Sequence, residues 1–136
     1  MHIYRVAHKT HMNGKLPAGP YVRRYAILGA DIVKRLEWMY DLHAGSSHSG
    51  PQNDPLLQYT IFSWERCGFD SLDNLYRWFE HFTEDLHECG FRIYVYDVAR
   101  EAVRVGKNGQ ALFAEDCASE LYVADFDLNY TPGKAV

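Results

Sequence analysis

The stretch from Gly68 to Phe126 constrains the fold more than any other part of this 136-residue chain. It reads as one capped amphipathic helix followed by four short strand-like runs separated by turns. Leu72, Leu75, Tyr76, Phe79, Phe82 and Leu86 form a continuous apolar stripe at helical spacing. Asp70 or Ser71 supplies the N-cap, with acids nearby to suit the helix dipole, and Gly90 is the residue beyond the C-terminus. Strands are expected at about Phe91–Val98, Ala102–Val105, Gln110–Phe113 and Leu121–Phe126. Gly106-Lys107-Asn108-Gly109 makes a tight connection between the middle two.

Upstream, Met1–Ala7 alternates as an opening strand, with Ile3 and Arg5 on the face opposite His2, Tyr4 and Val6. His8–Pro20 reads as loop, punctuated by Asn13-Gly14 and Gly19-Pro20. Leu28, Ile32, Leu36, Met39 and Tyr40 predict a helix capped by Asp31, reaching about Ala44 and ended by Gly45. The polar run Gly45–Pro55 is the strongest loop signal and carries His48 and Asp54. Gln58–Trp64 is β-branched and aromatic and reads as a strand; Asn129–Val136 reads as a frayed tail. With no repeat and no linker, residues 1–136 are expected to form one α+β domain, a mainly antiparallel sheet with two principal helices.

A net charge of −4 with acids scattered among Lys and Arg excludes general nucleic-acid binding, which needs a basic face. No apolar run approaches the roughly 20 residues of a membrane span, and the N-terminus lacks the apolar core of a signal peptide. Cys67, Cys89 and Cys117 are odd in number and show no C-x-x-C spacing, so reduced, mostly buried thiols in the cytosol are expected. Aromatic content of 15% is high enough to supply a binding face as well as a core.

Known chemical motifs are missing. His8 and His11 lie three apart in a loop. Asp85, His87 and Cys89 alternate around a helix and cannot converge on one ion, so no metal is expected. His81 and His87 read as solvated polar-face residues, and Glu115 with Asp116 as a solvated pair in a turn. There is no nucleophile elbow, no Ser-x-x-Lys and no phosphate-binding loop, since no helix with a following Lys-Ser/Thr succeeds Gly106–Gly109.

What remains is an arrangement: Tyr4-Arg5 on the first strand, Ser63 on a middle run, and Gln110-Ala111-Leu112-Phe113 on a late strand, with Ile93–Val98 and Leu121–Phe126 beside it. This resembles the ADP-ribosyltransferases of the Arg–Ser–Glu kind. The resemblance implies that Arg5 grips a phosphate of NAD, that Ser63 orders the site, and that Gln110 stands where the family carries its glutamate. Arg5, Ser63 and Gln110 would then be the catalytic set, and Tyr4, Arg5, Tyr21 and Trp64 the NAD-binding set. Arg suits a diphosphate because its guanidinium is a planar, permanently charged fork. A glutamine can hydrogen-bond the ribose but brings no charge to a developing oxocarbenium. Ser63 is followed by Trp64-Glu65 where that family has Thr-Ser.

A second set of pieces, Ile3–Val6, Gly19–Tyr21, His48–Pro55 and Cys67–Phe79, is similar to small proteins of bacteriophages and prophages. That resemblance implies an accessory role in the cytoplasm of the host bacterium, binding a host protein and inhibiting a defence system. The transferase reading expects Arg5, Ser63 and Gln110 to converge on one cleft. The binding reading expects an exposed aromatic patch.

Overall fold

β1 (His2–His8) runs through the centre of a six-stranded sheet and buries side chains on both faces, Val6 on one and Ile3 and Ala7 on the other. The computed structural model describes residues 1–44 and 50–133. The remaining strands of this sheet are β4 (Glu65–Phe69), β5 (Phe91–Val98), β6 (Val103–Val105), β7 (Gln110–Ala114) and β8 (Ala118–Ala124). Their order is β6-β7-β4-β1-β5-β8, with every pairing antiparallel. A small hairpin of β2 (Met12–Asn13) and β3 (Leu16–Pro17) turns at Gly14, where φ is +70°. The fold is α+β, as the sequence predicts.

Helices α1 (Tyr25–Leu28), α2 (Ala30–Arg35), α3 (Glu37–His43), α4 (Leu72–Trp78) and α5 (Thr83–Glu88) cover one face. Leu28, Leu36, Met39, Leu75, Phe79, Phe82 and Leu86 pack there against Val6, Phe69, Phe91, Ile93 and Val95 from the sheet. The opposite face holds a smaller core of Ile3, Ala7, Tyr94, Tyr96, Ala111 and Phe113, with Leu16 of the hairpin against it.

Both predicted long helices are broken. Gly29, at φ +86°, separates α1 from α2 and occupies the position expected of Asp31, which lies instead in the first turn of α2. Leu36 interrupts α2 and α3, and the helical run ends on a C-cap at Ala44; Gly45 and His48 lie outside the described residues. The second helix stops at Phe79 and resumes at Thr83, with His81 left-handed at φ +76°. The apolar stripe survives the break because Phe79, Phe82 and Leu86 still face the same core. Ser71 is the N-cap, its side chain accepting from Asn74 N–H at 3.1 Å, and Gly90 follows the C-cap at φ +95°.

The expected strand Gln58–Trp64 is absent. Gln58 and Tyr59 both adopt left-handed backbone, at φ of 55° and 54°, which cannot extend into a ladder. The strand begins only at Glu65, so the aromatic run is a loop, and the glycine-containing Glu65–Phe69 is the true strand. The three thiols are unpaired among the described residues, but they are not the mostly buried set expected: Cys67 and Cys89 are half-buried and Cys117 is exposed.

Candidate functional site

β1 and β4 meet at one registered pair, Tyr4 with Phe69. Beyond it β1 stays with β5 as far as His8–Phe91, while β4 stays with β7 as far as Glu65–Ala114. The sheet therefore splits, and the segment after β1 fills one flank of the gap, held by His8 N–H to the Ala18 carbonyl at 2.7 Å. A cleft of about 230 Å³ opens in the split, lined by Arg5, Gly19, Tyr21, Arg66, Trp78 and Gln110, among others.

Arg5 is 6% exposed. Its Nη1 donates to the Cys67 carbonyl at 2.6 Å and its Nη2 to the Pro17 carbonyl at 3.4 Å, so the guanidinium bridges the two sides of the split. Among the described residues its Nε has no hydrogen-bond partner and no carboxylate lies within ion-pair distance. Burial pushes the guanidinium down from its ordinary value, with only weaker opposition from Cys67 and Tyr96. Arg66 pairs with Glu115 at 3.2 Å, and Glu65 is committed to Arg104 at 2.6 Å. At the rim, the Tyr21 hydroxyl accepts from Trp78 Nε1 at 2.7 Å and lies 2.5 Å from His43 Nδ1. Burial raises the Tyr21 pKa well above that of a free phenol, so it stays neutral at physiological pH.

Arg5, Tyr21 and Gln110 thus line one cleft, and Gln110 is 3% exposed. By register Gln110 pairs with Phe69 on the helix-bearing side, whereas Arg5 pairs with Tyr94 of the other side. Only the split brings both to the same opening. Ser63, Tyr4 and Trp64 are not among its lining residues. Ser63 is exposed and its carbonyl accepts from Arg66 Nη1; Tyr4 packs against the helix-side core; Trp64 stacks on Phe62 with ring centroids 4.7 Å apart. Among the described residues, the cleft presents the Arg5 cation with no carboxylate paired to it, while Glu65 is held by Arg104, which suits binding an anion better than stabilising a developing positive charge.

His8 is structural. Its Nδ1 accepts from the backbone N–H groups of Thr10 and His11, each at 3.1 Å, so Nε2 carries the proton and donates to the Cys89 carbonyl at 2.9 Å. Asp54 is also buried and structural, accepting from the N–H groups of Leu56 and Lys107.

A second surface lies in the loop that stands in place of the expected strand Gln58–Trp64. Leu56, Tyr59, Ile61, Phe62 and Trp64 all project from residues 54–64 into solvent, with Leu56, Tyr59 and Trp64 each more than half exposed. Arg104 on β6 holds this loop from beneath. Its Nη1 donates to the Leu57 carbonyl at 2.9 Å and its Nη2 to the Thr60 carbonyl at 2.8 Å. Its Nε and Nη2 grip both Glu65 oxygens, and the guanidinium lies 5.0 Å from the Phe62 ring centroid. Leu57 anchors the loop in the interior with no exposed surface. The sequence signal was the dense aromatic run itself; its loop geometry depends on Arg104, about forty residues further along the chain.

No helix among the described residues is long and apolar enough to cross a membrane. No curated protein and no solved structure matches the chain, and the ADP-ribosyltransferase resemblance gains no support from these comparisons. The family model described as bacteriophage T4 Y00F protein matches residues 1–127, nearly the full length. The likeness to phage proteins is therefore sound, and the chain belongs to the bacteriophage T4 Y00F protein family.

Proposed function

We propose that this phage accessory protein acts by binding a host protein, and that the loop 54–64 is its recognition surface. One observation carries the reading: an exposed aromatic cluster sits on a loop held by partly buried hydrogen bonds from Arg104. Exposed rings alone cost little to bury, and a loop already ordered loses little conformational entropy on docking, so each ring's burial converts efficiently into affinity. Tyr and Trp are the side chains most enriched at binding hot spots. The phage context makes a component of a bacterial defence system the natural target, and inhibition by occupancy needs no catalysis.

The test is capture of host proteins by the tagged full chain and by a Tyr59→Ala/Trp64→Ala variant of equal thermal stability. A host protein retained by the wild type and lost from the variant supports the proposal. Retention of every captured protein by the variant overturns it.

A further inference from the structure

The buried cation in the sheet split has no role in the loop surface, and it carries its own inference. We propose that the cleft between β1 and β4 is a binding site for a small organic monocarboxylate, its oxyanion seated at Arg5 and its apolar body against Tyr21, Phe69 and Phe79.

Three observations lead there. Arg5 is more than nine-tenths buried, yet among the described residues its guanidinium donates only to the carbonyls of Cys67 and Pro17. A guanidinium carries five N–H donors, and Arg5 leaves its Nε–H without an acceptor among the described residues while lining the cleft. An isolated buried charge is costly until an opposite charge joins it. The other charges at the cleft are already matched, Arg66 by Glu115 and Glu65 by Arg104, so the uncompensated charge is a single positive one. A monoanion neutralises it, whereas a dianion would leave a buried negative charge. Size points the same way. A cavity of about 150 Å³ accommodates benzene, and this cleft of about 230 Å³ leaves room for one ring and a carboxylate. It falls below the roughly 300–1,000 Å³ of pockets for larger ligands.

The experiment is titration of the full chain with sodium benzoate, followed by tryptophan fluorescence and by the Nε–H signals of ¹⁵N-arginine-labelled protein. Saturable binding that moves the Arg5 Nε–H signal is expected. Neutral benzamide should bind at least about tenfold more weakly, as should benzoate to Arg5→Gln and to Val22→Trp, which fills the cleft but keeps Arg5. The Val22→Trp arm distinguishes loss of the site from loss of the fold if Arg5→Gln does not fold. Failure to saturate by about 50 mM, far above millimolar affinity, overturns the proposal. So does equal binding of benzamide, or full binding by both variants. Tighter binding of inorganic phosphate or NAD with the same Arg5 shift overturns the monocarboxylate assignment.

Discussion

Replacing Arg104 with methionine removes the clamp beneath the loop 54–64 while keeping much of the side-chain volume. The change deletes both bonds to Glu65, the bonds to the Leu57 and Thr60 carbonyls, and the contact with the Phe62 ring. Glu65 is 7% exposed and, among the described residues, would retain only the Phe62 N–H at 2.9 Å. Breaking a fully buried ion pair from one side costs about 3–5 kcal/mol. Because the Arg104 side chain keeps 28% of its surface in water, the expectation here is lower, about 2–3 kcal/mol. Urea unfolding followed by tryptophan fluorescence measures it. The pH dependence carries a second signature. Burial raises the Glu65 pKa, but the hydrogen bonds from Arg104 and Phe62 N–H and the Arg104 charge outweigh it, leaving the carboxyl below its usual range. A depressed folded-state value means stability that is present above the unfolded pKa and lost as pH falls through the folded one. That acid-side loss should shrink or reverse in Arg104→Met. The double variant Glu65→Leu/Arg104→Met should recover part of the lost stability, because no charge is then left buried. A cost under about 0.5 kcal/mol, or a double variant less stable than the single, would refute the clamp.

Gly68→Ala places a Cβ 2.6 Å from Ile3 Cγ2 and 3.0 Å from the Tyr4 carbonyl, where β1 and β4 are in closest contact. It should cost about 1–3 kcal/mol in urea unfolding, and wild-type stability would show that the strands can move apart there freely. Leu57→Ala empties a fully buried anchor and should cost about 2–5 kcal/mol. It should also weaken host-protein capture although no exposed ring is changed; unaltered capture would mean the loop's shape is irrelevant to binding.

The strands were legible where local pattern and tertiary context agree. Phe91–Val98 is rich in aromatic and β-branched residues and pairs on both sides, and the Gly106–Gly109 turn connects β6 to β7 as its composition dictates. Ser71 and Gly90 marked the outer helix ends correctly because caps are local chemistry. The internal breaks at Gly29 and around His81 escaped because an apolar stripe reports which face is buried, not whether the backbone is continuous. Gln58–Trp64 failed for a different reason. β-propensity describes residues that suit a half-buried surface, and here the same side chains are held outward by an arginine from β6 and a buried aspartate. At the cleft, Arg5 and Gln110 follow from their strand positions, whereas Trp78 and Arg66 come from α4 and β4, and only the tertiary fold brings them to the same lining. Ser63 and Trp64 lie in a loop and not on the expected strand, and neither lines the cleft.

The loop 54–64 lies beside β6 at one edge of the sheet, and Tyr122 is an aromatic on β8 at the other that is also more than half exposed. A photo-crosslinking amino acid placed at position 59, and in a separate protein at position 122, therefore tests the central claim directly in infected host cells. The account predicts a covalent adduct with a host protein from position 59 and none from position 122. An adduct from position 122 with none from position 59 would contradict it.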